Sequence, residues 1–437
     1  MKLRNGIIVL FIISVFSLVG CSSNSTSEVD DSNSNQNSSK SNNGEEVITL
    51  QFWGGVPAEA GPQEVVDNWN ETHPNIQVEY QRFVNDDAGN RKLNTALQTG
   101  QNVDLFMHYA VNTLQERVNS NLVLDLSQFD DYDIESKMGE IAEEWKLDGK
   151  YYAVPTKNSA SIILLNQDAL EQEGLPIPEE WTWNEFREYA KKLTNENRLG
   201  FINFDPSSTI NVTSALLDDG WVNSEGKSNF EHPQVRQGLE IMYEMMHTDN
   251  SMMPVGEQIA TGVAADHMFI NGEVAMLGAF EGMLRTTSNL EDYPRDFKIA
   301  FAPFPSFEGG SMIGNRLGDS ISISASSEYP EEAWEFIKWY ADGGMLPQAS
   351  GGRIPSSNDA PIDEAIDLMI EGVEDTYDVE SLTKMFSLPG ILDKPLPLQV
   401  QDALQAEVEN YYLGDQSLDE TIKNIVDRHN EYIEKED

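Results

Sequence analysis

The chain has 437 residues, 28 of them basic and 74 acidic, for a formal net charge of −46. At ~150 residues per domain this length suggests two or three cores rather than one. So acidic a surface repels phosphate and argues against nucleic acid or an anionic lipid surface as a partner. The single cysteine, Cys21, leaves no intramolecular disulfide and no multi-thiolate zinc site to consider.

In chain order, Lys2 and Arg4 precede an apolar run from Gly6 to Val19, short for a membrane span and of the right length for a secretory leader. The run ends in Leu18-Val19-Gly20-Cys21, which resembles the bacterial lipobox, where the cysteine is acylated and becomes the first mature residue. The plainer reading is a signal peptide that happens to contain a cysteine; small residues leading into the only cysteine favour the lipid anchor. Ser22 to Gly44 is Ser, Asn and Asp with almost nothing apolar, so ordering it is not offset by burial, and a flexible tether is expected.

The fold is expected to begin at Val47. Ile48, Leu50 and Phe52 alternate on a strand ending at Trp53-Gly54-Gly55; Pro62, Val65, Val66 and Trp69 keep helical spacing; Ile76, Val78 and Tyr80 share one face of a second strand. A polar helix around Arg91 to Gln98 and the strand Val103 to Phe106 complete a β-α-β-α-β rhythm, which predicts a mainly parallel sheet covered by helices. Ligands of such sheets bind beyond the carboxyl ends of the strands. That rule puts Trp53, Gly54 and Gly55 on one rim with His108, Tyr109 and Asn112.

The stretch Gly149 to Asn166 reads as a turn, a short Tyr-Tyr-Ala-Val strand stopped by Pro155, a polar run from Thr156 to Ser161, and an apolar strand from Ile162 to Leu165. It suits either a hinge carrying the chain from one sheet into another, with a ligand cleft beside it, or an ordinary hairpin. After it, Thr182 and Glu185 have capping-box spacing, Trp181 and Phe186 that of a hydrophobic staple, and Phe186, Tyr189, Ala190 and Leu193 form a buried stripe. Trp181 and Trp183 are therefore expected to be structural.

The lipobox, the Ser/Asn tether, the strand ending in Trp-Gly-Gly, Trp69-Asn70 with His73-Pro74-Asn75-Ile76, Val103-Asp104-Leu105, Asp148 to Pro155, Asn166 and Trp181-Thr182-Trp183 together resemble the sugar-binding lipoproteins of ATP-binding-cassette importers, the extracellular solute-binding family that includes maltose-binding proteins. Phe269 to Met276 resembles the family's Gly turn leading into a strand that ends at the cleft. Phe280 and Glu281 follow it where the family often has a Gly-X-Trp contact, and this chain has no tryptophan there. Pro303 to Pro305 with Gly318 to Ile321 resembles the return crossing, and Ser350 to Pro355 the last one. Pro330 opens a helix whose buried side is Ala333, Phe336, Ile337 and Tyr340. Ser417 and Glu420 make a second capping box.

The resemblance implies an α/β, two-lobed periplasmic-binding-protein-like fold, each lobe a mainly parallel sheet flanked by helices, with the ligand cleft between lobes. The implied division is residues 1–20 as leader, 21–46 as tether, 47–157 with 302–352 as first lobe, and 158–301 with 353–437 as second. It further implies a monomer with no cofactor or metal and no catalysis, anchored outside the cell membrane through Cys21. Such a protein captures a carbohydrate by lobe closure and hands it to a membrane permease. A sugar presents apolar C–H faces and a belt of hydroxyls, so its binder needs flat aromatics and polar edge groups. Candidate platforms are Trp53, Tyr109, Tyr152 and Trp221; candidate edge groups are Asn112, Asn158, Glu281 and Asp319, with Arg353 as a donor fork; Gly54, Gly55, His108, Ser159 and Phe280 are further candidate contacts. Two other classes remain open: a secreted glycoside-acting enzyme, for which 74 acidic residues make a carboxylate pair uninformative, and a receptor subunit for sugar sensing.

Overall fold

The computed structural model describes residues 38–40, 46–391 and 396–436. The expected leader, Cys21 and most of the tether lie outside them. Ser38–Lys40, inside the expected tether, is a three-residue strand antiparallel to the start of β1 (Glu46–Gly54), so pairing in the sheet begins earlier than Val47.

The first sheet grows from the expected rhythm. β1 runs parallel to β2 (Ile76–Arg82) over its length and to β3 (Leu105–His108) at Phe52 and Trp53. Between them, α1 (Pro62–Thr72) starts at a proline whose missing N–H would be unpaired in a first turn anyway, and it buries Val65, Val66 and Trp69. α2 (Asp87–Thr99) is capped by the Asp86 carboxylate, which accepts from the Gly89 N–H. α3 (Val111–Asn119) follows β3.

β4 (Val154–Ser159) and β5 (Ser161–Asn166) decide the hinge question. β4 pairs with β9 (Arg316–Ile323) and β10 (Ile354–Pro355) in the first sheet, whereas β5 pairs with β7 (Val274–Phe280) and β8 (Ile299–Pro303) in a second. The chain therefore changes sheets at Ala160 with one residue between strands, and no hairpin forms. Pro155 lies inside β4, opposite Ser320, rather than ending a strand at Val154. Tyr151 and Tyr152 instead belong to a small hairpin, Lys146–Leu147 against Lys150–Tyr151, and the bend beyond it.

Both sheets are mixed rather than mainly parallel. The first runs β1-β3-β9-β4-β10 with β2 beside β1; the second runs β8-β5-β7-β6, where β6 is Leu199–Asn203. Parallel pairs are β1·β2, β1·β3 and β6·β7; the strands entering or leaving a crossing, β4, β5, β8, β9 and β10, pair antiparallel. A chain that comes back into a sheet through a crossing enters it from the opposite end, and its strand direction reverses accordingly.

α4 (Trp183–Leu193) has the full capping box, Thr182 and Glu185 each accepting from the other's backbone N–H, and Trp181 meets Phe186 edge-on at 5.1 Å. α5 (Pro330–Trp339) closes the first core with Ala333, Phe336 and Ile337. α6 (Ile362–Met369) covers one face of the second sheet, and α7 (Leu398–Leu413) with α8 (Leu418–Glu436) covers the other. In the expected box before α8, Ser417 accepts from the Glu420 N–H. Six of the eight tryptophans are buried; Trp221 and Trp339 are partly exposed. No described helix is long and apolar enough to cross a membrane.

Candidate functional site

Strand alternation sorts the rim of the first sheet into two faces. Phe52 pairs with Tyr80 and packs edge-on against Tyr80, Phe336 and Tyr340. Trp53, one residue on, pairs with Phe106 on the other face, where His108 also lies. Trp53 is 4 % exposed, with the Lys92 ammonium 5.2 Å above its ring, so the indole is core and no ring face is open to a ligand. His108 is fully buried: Nε2 meets Ser322 Oγ at 2.9 Å and Nδ1 meets Arg117 Nη1 at 3.0 Å. Burial, then the Arg117 charge, holds its pKa well below the usual value, so the ring is neutral and ties β3 to β9. Arg117 is pulled down to about 10 by burial and is bonded to Asn90 and Asn94 as well.

The opposite face brings several candidates together. The Gly55 N–H donates to Tyr109 Oη at 2.5 Å, and Tyr80 Oη donates to the Val56 carbonyl at 2.6 Å. A Cβ at Gly54 would stand 2.7 Å from Tyr80 Oη and one at Gly55 2.9 Å from the Tyr109 ring, so both rings lie against bare backbone. Asp319, held at φ 43°, accepts from Arg353 Nε at 3.2 Å, and Arg82 Nε donates to the Gly55 carbonyl at 3.3 Å. Burial raises the Tyr109 pKa, the Asp319 charge adding to it; burial also raises that of Tyr80 and takes Tyr340 to about 12. All three hydroxyls therefore keep their protons and remain donors.

Glu281 has a different role from the edge group expected. It is 1 % exposed; Oε1 pairs with Lys157 Nζ at 2.6 Å and Oε2 accepts from the Ala160 N–H at 3.0 Å, while the Glu281 N–H donates to the Ala160 carbonyl. Both oxygens are engaged, so the carboxylate latches the crossing from β4 to β5. Asn158 lies within this crossing, paired with Leu317 and Ile354; its Oδ1 accepts no bond among the described residues. Ser159 pairs with Arg316, and its Oγ lies 2.9 Å from where a Cβ on Gly318 would stand.

On the second sheet, Phe280 at the end of β7 and Phe204 just past β6 are exposed and meet edge-on at 5.7 Å. Beside the crossing, a recess of about 480 Å³ is lined by Trp221, Ser161, Arg316 and Asp205, with Gln401 and Gln405 from α7. Trp221 stacks on Phe230 at 5.7 Å. Two expected contacts stay away from these groups. Asn112 is exposed at the start of α3, where its Oδ1 accepts from the Thr113 N–H. Tyr152 precedes by three residues the Pro155 that faces Ser320, which sets it back from the rim; its carbonyl accepts from Ser322. A larger cavity, about 1120 Å³, lies elsewhere, between α1, α5 and α6, with Trp69, His73 and Trp339 in its walls.

Two sheets, two places where strands pass between them, a third where the chain leaves the first sheet for helices over the second, and polar and aromatic groups beside those places define a two-lobed α/β binding fold. Solved structures share it. A sugar transporter of Rhizobium etli in an open conformation superposes with TM-score 0.74 at 18% identity, covering 87% of this chain and 99% of that one. A maltose-bound protein of T. maritima superposes with TM-score 0.65 at 21% identity, covering 87% and 98%.

Residues 54–342 match the bacterial extracellular solute-binding proteins, and the chain belongs to that family. It is similar to an uncharacterized lipoprotein of Streptomyces antibioticus, 26% identical over 64% of this chain and 62% of that one. It is also similar to an arabinooligosaccharide-binding protein of Halalkalibacterium halodurans, 22% identical over 63% of each. The chain thus spans less than two thirds of the length of these curated relatives.

Proposed function

We propose that the protein captures a saccharide outside the cell by closing two lobes on it and delivers it to the permease of an ATP-binding-cassette importer, held at the membrane through a lipid on Cys21. In this reading the first lobe is built from residues 46–159 and 316–355 and the second from 160–315 and 356–436. The lobes bend where strands change sheet, at Ala160 and between Pro303 and Arg316, and where the chain leaves the first sheet after Pro355.

The observation that carries this reading is the pairing, beside the crossings, of exposed aromatic faces with hydrogen-bonding edges. Phe204, Phe280 and Trp221 offer surfaces for C–H faces; Asp205, Gln401 and Gln405 offer acceptors and donors for hydroxyls. The family membership and the sugar-binding relatives support it. Contacts to both lobes coexist only when the cleft is shut, so ligand shifts the population toward the closed form.

The test is calorimetric titration of the protein with oligosaccharides of several linkages, followed by small-angle scattering with and without the tightest. Saturable binding with a smaller radius of gyration is expected. Superimposable scattering profiles at saturation would remove closure, and release of new reducing ends from the ligand would replace a binder with a hydrolase.

A further inference from the structure

We propose that the saccharide is acidic, its anionic group held between the guanidinium groups of Arg82 and Arg353 at the rim of the first sheet. This rests on the carbohydrate reading above and narrows it to a substrate class.

Arg353 donates through Nε to Asp319, and Arg82 donates through Nε to the Gly55 carbonyl. Among the described residues neither guanidinium has another bonded partner, so both terminal nitrogens of each fork are left for a ligand. Tyr109 joins the two: its Oη accepts from the N–H of Gly55, whose carbonyl takes Arg82, and it directly follows His108, the register partner of Ser320, which sets it beside Asp319, the partner of Arg353.

The local balance is two guanidinium groups to one carboxylate, in a chain with 28 basic and 74 acidic side chains. Several cations elsewhere are each matched by two carboxylates: Lys137 by Asp342 and Asp359, Arg187 by Glu244 and Asp249, Lys338 by Asp131 and Glu335. An excess of positive charge at this rim of so acidic a molecule suits a ligand that brings its own negative charge. It also shields that ligand from the repulsion of the remaining surface. A planar fork matches a carboxylate in two parallel bonds, and sulfate or phosphate esters share that chemistry. Tyr80 and Tyr109 stand beside the forks, where the sugar ring carrying the charge would lie.

The experiment compares, on the folded protein, a neutral arabino-oligosaccharide, an oligogalacturonate and a sulfated oligosaccharide of equal length, at low and high salt. Preference for the galacturonate or the sulfated probe identifies the source of the charge, and binding of that probe should weaken with salt as the screening length falls from ~10 Å at 0.1 M to ~3 Å at 1 M. Arg353→Gln should weaken it by roughly 10- to 100-fold, the range for a hydrogen bond to a charged group, and Arg82→Gln in the same direction. Asp319→Asn, which removes the competing carboxylate and keeps a residue tolerant of the left-handed backbone, should tighten it; that opposite sign cannot come from misfolding. Equal affinity for the neutral probe, with no salt dependence and no response to Arg353→Gln, would overturn the proposal while leaving the carbohydrate reading in place. Binding of none of the three would overturn both.

Discussion

Two of the passages between sheets differ in how they are held. At Ala160 one residue separates β4 from β5, and the pivot is clamped by a buried carboxylate that reaches both Lys157 on the first sheet and the Ala160 backbone. Between β8 and β9 the chain runs through residues 304–315, where Ser306 exchanges backbone bonds with Trp181 and Trp183 and Ser311 donates to Asp218, and it is secured at its end by a neutral side chain. The Asn315 amide donates to the Phe386 and Leu388 carbonyls, and its backbone pairs with Pro389 and Ile391. The first passage is thus fixed by charge inside the crossing itself. The second depends on a strap from far along the chain, which also crosses to the first core, where Gly390 lies so close to Ile141 that no Cβ would fit. A short link needs a local lock; a long one borrows its order from a distant segment.

The sharpest way to break this contrast is Glu281→Ala. It strands a mostly buried ammonium and a backbone N–H, and should cost about 3 kcal/mol in urea unfolding. An unchanged midpoint would show that the carboxylate does not clamp the pivot. Asn315→Ala removes two neutral hydrogen bonds and should cost less, about 1 to 2 kcal/mol, by the same measurement. A loss larger than that of Glu281→Ala would reverse the ranking of the two passages.

The strand entered by the second passage also carries a proton linkage. His108, bonded to Ser322 on β9, has a folded pKa below its unfolded value near 6.5. Its contribution is therefore complete above about pH 6.5 and lost as the pH falls, with a slope of up to about 1.4 kcal/mol per unit from this group. His108→Asn should flatten that part of the stability profile; a profile as steep as before would assign it to other groups. Phe280→Ala, outside both passages, should change stability by less than about 0.5 kcal/mol, yet weaken saccharide binding on titration if the exposed pair is a platform.

Much of the frame was legible because it is written locally. The Thr182–Glu185 box, the proline at the head of α1 and the β-α-β rhythm need only a few neighbouring residues. The rim of the candidate site was legible to the level of strand ends, which is why Gly54, Gly55 and Tyr109 fall together, while Asp319 inside β9 and Arg353 before β10 came from the crossings that the resemblance implied. It was not legible to the level of faces. Trp53 and Phe52 both belong to a strand end, and only the register with β2 and β3 says which of them looks toward Tyr80. Tyr80 carried a usable signal, since its alternation with Val78 already set its face. Phe204 and Asp205 directly follow a strand, the same cue that picked out Tyr109. The latch made by Glu281 could not be read, because its partner Lys157 lies far away in sequence on the other sheet, and the hinge pattern around Lys157 does not say which carboxylate answers it.

The uneven burial of the indoles gives the molecule two natural optical probes on different walls. Trp221 lines the recess beside the crossing, and Trp339 lines the groove between α5 of the first core and α6 of the second. On the proposed closure about the crossings, the two gaps would change in opposite directions. Iodide quenching of a Trp339→Phe variant should then fall as saccharide is added, while quenching of a Trp221→Phe variant should rise, so the two curves together act as a seesaw gauge of the swing without any attached dye.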